Sequence, residues 1–231
     1  ADPALAHLAE TLSTQSQIAH QAFQRGNKAL ARTVIQSSLS YCVQCHTRKA
    51  SGPEFYSLQE NQAFSELTRL QKADLHMSTR HYQEALDTYM TLVKDPTFAK
   101  SHRFDWQKAA LRALSLTVRV KQSPKQALNV VHEIEATQSL DMNLKTHSEQ
   151  WKKDIYQWKQ DLARSTPHNL QKATQLAQQA QPGVSVDAQM DQLIKWLRVS
   201  VILHKVLEQD IEPAGRAQAY HRLGQAYENL R

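Results

Sequence analysis

Apolar residues return every three or four positions along almost the whole chain, the period of an amphipathic α-helix. No segment alternates with the two-residue period of a strand. Turn and cap signals divide the periodic run into about ten helices: 4–24, 27–46, one from Ser57 to about Ser78, 81–94, 102–121, 124–138, 144–163, 167–181, 187–209 and 213–230. The first pair turns at Arg25-Gly26-Asn27, and a loop around Ala50-Ser51-Gly52-Pro53 follows it. Ser57-Leu58-Gln59-Glu60 and Thr146-His147-Ser148-Glu149 read as capping boxes, in which two side chains satisfy each other's backbone donors. Ser123-Pro124, Thr166-Pro167 and Glu212-Pro213 each place proline in a first helical turn, where its missing N–H costs nothing. The predicted class is all-α, built from antiparallel helical hairpins.

The hairpins look repeated. Arg25-Gly26-Asn27-Lys28-Ala29-Leu30, Arg80-His81-Tyr82-Gln83-Glu84-Ala85-Leu86 and Ser123-Pro124-Lys125-Gln126-Ala127-Leu128 share a scheme: a turn, polar residues, then Ala-Leu entering a second helix. Ala73 to Pro96, with Tyr82, Ala85, Tyr89 and a closing Asp95-Pro96, resembles a tetratricopeptide repeat (TPR). So does Tyr220-His221-Arg222-Leu223-Gly224-Gln225-Ala226-Tyr227, whose Leu-Gly-x-x-Tyr would set a small residue where two helices cross closely. The chain stops where that repeat's second helix is expected, which reads as a shortened C-terminus. The intervals between copies exceed the roughly 34 residues of the regular repeat. The resemblance therefore implies repeat-like α-hairpins stacked as a TPR-like solenoid with a protein-binding concave face. The expected organisation is an N-terminal hairpin, 1–56, followed by a repeat region, 57–231.

Composition narrows the functional classes. Lys and Arg number 28 against 22 Asp and Glu, a formal charge of +6. That surplus favours an acidic partner. No basic run or aromatic-interleaved basic segment points to nucleic acid, and no apolar run is long enough to span a membrane. No secretory leader is visible, and Ala1-Asp2-Pro3 suits the mature end that removal of a leader would produce or, equally, a cloning scar. The sequence has no nucleophile–base arrangement, P-loop or glycine-rich dinucleotide turn, so an enzyme is not expected.

The chemistry concentrates in one place. The chain's two cysteines stand three apart and are followed at once by histidine: Cys42-Val43-Gln44-Cys45-His46. A Cys-x-x-Cys redox pair is expected in a strand-to-helix setting that this chain does not offer. A zinc site needs a fourth ligand, and a disulfide across two residues is strained. The Cys-x-x-Cys-His spacing resembles the haem-attachment motif of c-type cytochromes. That resemblance covers five residues. It implies one covalent haem c, thioether bonds from Cys42 and Cys45, and His46 as the proximal iron ligand. It also implies attachment outside the cytoplasm, hence a periplasmic or otherwise exported protein.

Four outcomes stay open for the sixth iron position: His7, opposite His46 if the first two helices are antiparallel; Met90 on the returning fourth helix; another residue, such as His102; or an open site. Arg48 and Lys49 are candidate partners for haem propionates, and Phe55, Tyr56 and Phe64 candidate walls. The pair Trp151 and Trp158, and Trp196 with His204, read as core. The functional expectation is an extracytoplasmic monohaem electron-transfer protein that docks a redox or scaffold partner. The alternatives are an interaction scaffold or sensor whose haem is structural or gas-binding, and a haem-free adaptor with a regulatory dithiol.

Overall fold

The computed structural model describes residues 3–47, 62–137, 142–163, 169–180 and 190–230. Among them every regular element is a helix: α1 (Pro3–Gln24), α2 (Lys28–His46), α3 (Gln62–Ser65), α4 (Arg69–Ser78), α5 (Tyr82–Val93), α6 (Pro96–Ser101), α7 (Arg103–Arg119), α8 (Pro124–Ala136), α9 (Met142–Ala163), α10 (Leu170–Gln179), α11 (Leu193–Leu207) and α12 (Pro213–Glu228). The all-α class and a helix number near ten are as the periodicity predicts. The chain forms two compact units, 1–88 and 89–231, divided inside α5. The boundary expected at 56/57 lies outside the described residues, as do the Ser57–Glu60 capping box and Thr166-Pro167.

In the first unit α1 and α2 form a tight hairpin, and α2 also packs on α4. Ala19, Ala22, Ala31 and Val34 are buried between the first two helices, so their backbones approach closely. The turn needs a left-handed residue. Gly26 supplies it at φ +78°, while the amide of Asn27 closes on the carbonyl of Ala22 at 2.9 Å.

Two other residues take the left-handed region, Arg80 (φ 67°) and Gln122 (φ 47°), each just before a helix. Five residues after Gly26, Arg80 and Gln122 stand Ala31, Ala85 and Ala127, all at most 3% exposed. The three turns therefore share a turn-to-alanine register. Its first copy is shifted by two positions from the expected alignment: Ala29 and Leu30 face solvent and Ala31 is the packed alanine.

Three further departures have local causes. The helix expected to run unbroken to Ser78 is interrupted after Ser65. Thr68 caps α4, its hydroxyl accepting from the Gln71 amide at 3.2 Å while the Gln71 side chain accepts from the Thr68 amide at 3.0 Å. An unexpected short helix, α6, follows Pro96 because the Asp95 carboxylate accepts from the amides of Thr97 and Phe98. Thr146–Glu149 does not cap a helix. It lies inside α9, where the Ser148 hydroxyl donates to the Glu135 carboxylate at 2.7 Å.

The second unit holds the larger core. Helices α7, α8 and α9 pack in succession, α11 lies against α7 and α9, and α10, α11 and α12 form a second layer of contacts. Trp106, Trp151, Ile134, Ile155, Ile194 and Leu203 are fully buried. The indoles find acceptors: Trp106 donates to the Val93 carbonyl at 3.0 Å and Trp151 to the Met190 carbonyl at 2.7 Å. Trp158 and Trp196 are also buried, as expected of core. Gly224 is not at a close helix crossing, because a Cβ built there meets nothing within 4 Å. The packed face of α12 is instead Ala219, Leu223 and Ala226.

Replacing Trp106 with Ala removes a fully buried indole and should cost about 3–5 kcal/mol. Phe at the same position should cost clearly less. Urea unfolding of the two variants against the parent measures both.

Candidate functional site

Helix α2 carries the cysteine–histidine motif on its last turns and ends at His46. Two contacts hold that end against the α4–α5 turn. The Tyr82 hydroxyl donates to the His46 carbonyl at 2.7 Å, satisfying one of the acceptors every helix leaves open at its C-terminus. The His46 ring donates from Nδ1 to the carbonyl of Ser78. A carbonyl only accepts, so Nδ1 carries a proton and Nε2 is the nitrogen through which the ring could ligate. A carbonyl partner on one ring nitrogen is the usual way a ligating histidine is oriented and its tautomer selected.

Cys42 is half-buried, one turn before His46 on the same helix, and Thr47 just beyond is buried. The backbone of Cys45 is helical, while its side chain lies outside the described residues. The donor set fits a c-type haem in kind: a thiol at position 42, a second cysteine three residues on, and an imidazole that could ligate through Nε2. By helical spacing Cys42 and His46 continue the stripe of α2 that contains Ala31, Ile35 and Leu39.

The other expected residues are distributed unevenly. His7 sits on the helical backbone of α1, and its side chain lies outside the described residues. Met90 is half-buried beside the fully buried Tyr89, on the part of α5 that belongs to the second unit. His102 is an exposed residue ahead of α7, stacked on Phe98 at 5.1 Å. Arg48, Lys49, Phe55 and Tyr56 all lie outside the described residues.

The structure adds residues that sequence reasoning passed over. Ser78 and Tyr82 position His46. Near them on α4 and the following turn is an aromatic cluster in which His76 packs edge-on against Phe64 at 5.2 Å and against His81 at 5.6 Å. His76 is buried, and its Nδ1 has no hydrogen-bond partner among the described residues. Burial, then the neighbouring His81, holds its pKa below the ordinary histidine value, and Glu84 opposes this weakly. The Lys72 ammonium stands 5.5 Å from the Phe64 ring. The available signal was the buried stripe Leu70, Ala73, Met77 of α4, into which His76 intrudes.

A second polar cluster belongs to the second unit and is structural. Arg198, buried on α11, donates to the Asp161 carboxylate at 2.6 Å, and Lys172 and Gln157 reach the same carboxylate. Burial alone would raise the Asp161 pKa; the hydrogen bonds from Arg198 and Lys172 outweigh it and hold the group below the usual carboxylate value. Asp154 pairs with Lys195 at 3.1 Å, yet burial wins there and pushes its pKa up. A small cavity beside Arg198, Trp158 and Lys205 has a volume of about 110 Å³. Among the described residues no group of three or more His, Cys, Asp or Glu side chains is arranged to hold a metal ion.

Compared with known proteins, the chain matches no family model, no curated protein and no solved structure.

Tyr82→Phe leaves the buried end of α2 short of one donor and should cost about 1–2 kcal/mol in chemical denaturation while the fold is kept. Asp161→Asn leaves Arg198 buried without its carboxylate and should cost about 3–5 kcal/mol at pH 7. The Asp161 pKa is depressed in the fold, so its contribution is complete above the unfolded value and is lost as pH falls through the folded one. The difference between the variant and its parent should therefore shrink below about pH 4, which urea titrations at pH 7 and pH 3 compare.

Proposed function

We propose that the chain is a monohaem c-type cytochrome acting in extracytoplasmic electron transfer, with its TPR-like hairpins available to dock a redox partner. Cys42 and Cys45 would hold the macrocycle as thioethers and His46 would ligate its iron through Nε2. The observation that carries this reading is the His46 ring, whose Nδ1 proton is committed to the Ser78 carbonyl. That contact orients the imidazole and leaves Nε2 as the nitrogen that would face the iron. Tyr82 fixes the helix end from which the ring projects.

A bound haem would supply one-electron exchange. The protein's own part is to set the environment in which that charge changes. Burial of Thr47, Ser78 and Tyr82 lowers the dielectric around the motif, and the overall charge of +6 draws acidic partners. His7, Met90, another residue and an open site all remain for the sixth position.

The test is expression in a host that matures c-type cytochromes. The purified protein should carry one macrocycle's added mass and show a sharp visible spectrum. Cys42→Ala combined with Cys45→Ala should yield protein of polypeptide mass alone. His46→Ala should keep the mass but change the iron's spin state. With a sixth ligand at His7 or Met90, its replacement by Ala should convert a six-coordinate spectrum to one that binds carbon monoxide; with an open site the parent itself should bind carbon monoxide. A colourless protein with two alkylatable thiols would remove the reading.

A further inference from the structure

Along α2, on the α1–α2 turn side of the motif, lies an apolar groove of about 390 Å³ within the first unit. Ala31 and Leu39 of α2 and Leu75 of α4 line it, with Leu67 from the segment ahead of α4 and Phe23 from the end of α1. Its α2 residues run from Lys28 to Leu39, about 16 Å of helix at 1.5 Å per residue. That is about three turns. Its α2 residues end at Leu39, one turn before Cys42, and the groove runs from there toward the α1–α2 turn.

Two features define what fits the groove. First, its rim is apolar and wet: Phe23 is 61% exposed and Ile35 is 58% exposed. A small molecule seated in the groove would leave the outer faces of both side chains in water. A helix laid along it would cover them, which is how amphipathic helices bind grooves of this kind. Second, among the described residues the charged ones lining the groove are Lys28 and Arg32, exposed cations one turn apart, and no described carboxylate lines it. A matching helix carries acidic residues beside its apolar stripe.

We propose that this groove docks an acidic amphipathic helix of a partner protein, about three turns long, with its apolar face on Ile35 and Leu39 and its carboxylates toward Lys28 and Arg32. The proposal is argued from the residues between Lys28 and Leu39 and uses no property of the motif.

The experiment uses the full chain and three fluorescein-labelled synthetic helices followed by fluorescence anisotropy. One has leucine at positions i, i+4, i+7 and i+11 flanked by glutamate. The second replaces each glutamate with lysine, and the third replaces the leucines with glutamine. The acidic apolar helix should bind saturably, and the other two should bind at least tenfold more weakly. Ile35→Asp, and separately Lys28→Glu with Arg32→Glu, should each weaken the acidic helix at least tenfold. Added salt should weaken it as well. All three substituted side chains are exposed, and circular dichroism verifies the fold; should Ile35→Asp not fold, the double charge variant carries the test. Absence of saturable binding, equal binding of the lysine version, or indifference to both variants overturns the proposal. So does a concentration-dependent dimer that Ile35→Asp dissolves, which would assign the groove to a second copy.

Discussion

The C-terminal end of α2 is fixed by two hydrogen bonds to one short turn. Tyr82 donates to the carbonyl of His46, and His46 donates to the carbonyl of Ser78. The turn that supplies both partners depends on Arg80 adopting a left-handed backbone (φ 67°), a conformation non-glycine residues rarely take. It is stabilised from both sides: the amide of His81 bonds the carbonyl of His76 at 2.9 Å, and Ala85 and Leu86 bury at the start of the next helix. The arrangement links helix capping to imidazole chemistry. The contacts that end α2 also decide which ring nitrogen of His46 could ligate.

The two units solve their polar problems differently. Around His46 the first unit uses hydrogen bonds to backbone carbonyls and a buried imidazole, His76, whose Nδ1 has no partner among the described residues. The second unit buries a guanidinium and balances it with a carboxylate that also receives a lysine and a glutamine. A buried ion pair stabilises little relative to an apolar pair of the same shape, but losing one member is costly. The network joins α9, α10 and α11 through one shared carboxylate, Asp161. The apolar residues behind it, Trp151, Ile155, Ile194 and Leu203, supply the burial.

Much of the helical plan was legible because its signals are local. Gly26, Ser123-Pro124 and Pro213 marked turns and helix starts where the structure has them. The break before α4 was also written locally, as Thr68-Arg69-Leu70-Gln71, but it was hidden inside an apolar-periodic run that continues through it. The box at Thr146–Glu149 had the right letters, yet Ser148 spends its hydroxyl on Glu135 of the neighbouring helix. Gly224 matched a repeat pattern, but no neighbour approaches it. At Ser148 a non-local neighbour, absent from the string of letters, chose between two locally acceptable structures; at Thr68 a local cap overrode the apolar period, and at Gly224 the expected neighbour is missing.

The amino-acid sequence by itself determined the all-α class, most helix starts and the placing of both cysteines and His46 on one helical end. These follow from 3.6-residue periodicity, from capping chemistry and from residue spacing, all of which act within a few positions. The tertiary structure alone decided which carbonyl meets the His46 ring, that His76 is buried beside Phe64 and His81, and that Phe23 and Ile35 are left exposed on the rim of a groove. Those outcomes depend on how helices far apart in the chain are brought against one another. Helix packing selects among faces that periodicity makes equally apolar, and only the packed partner reveals the selection.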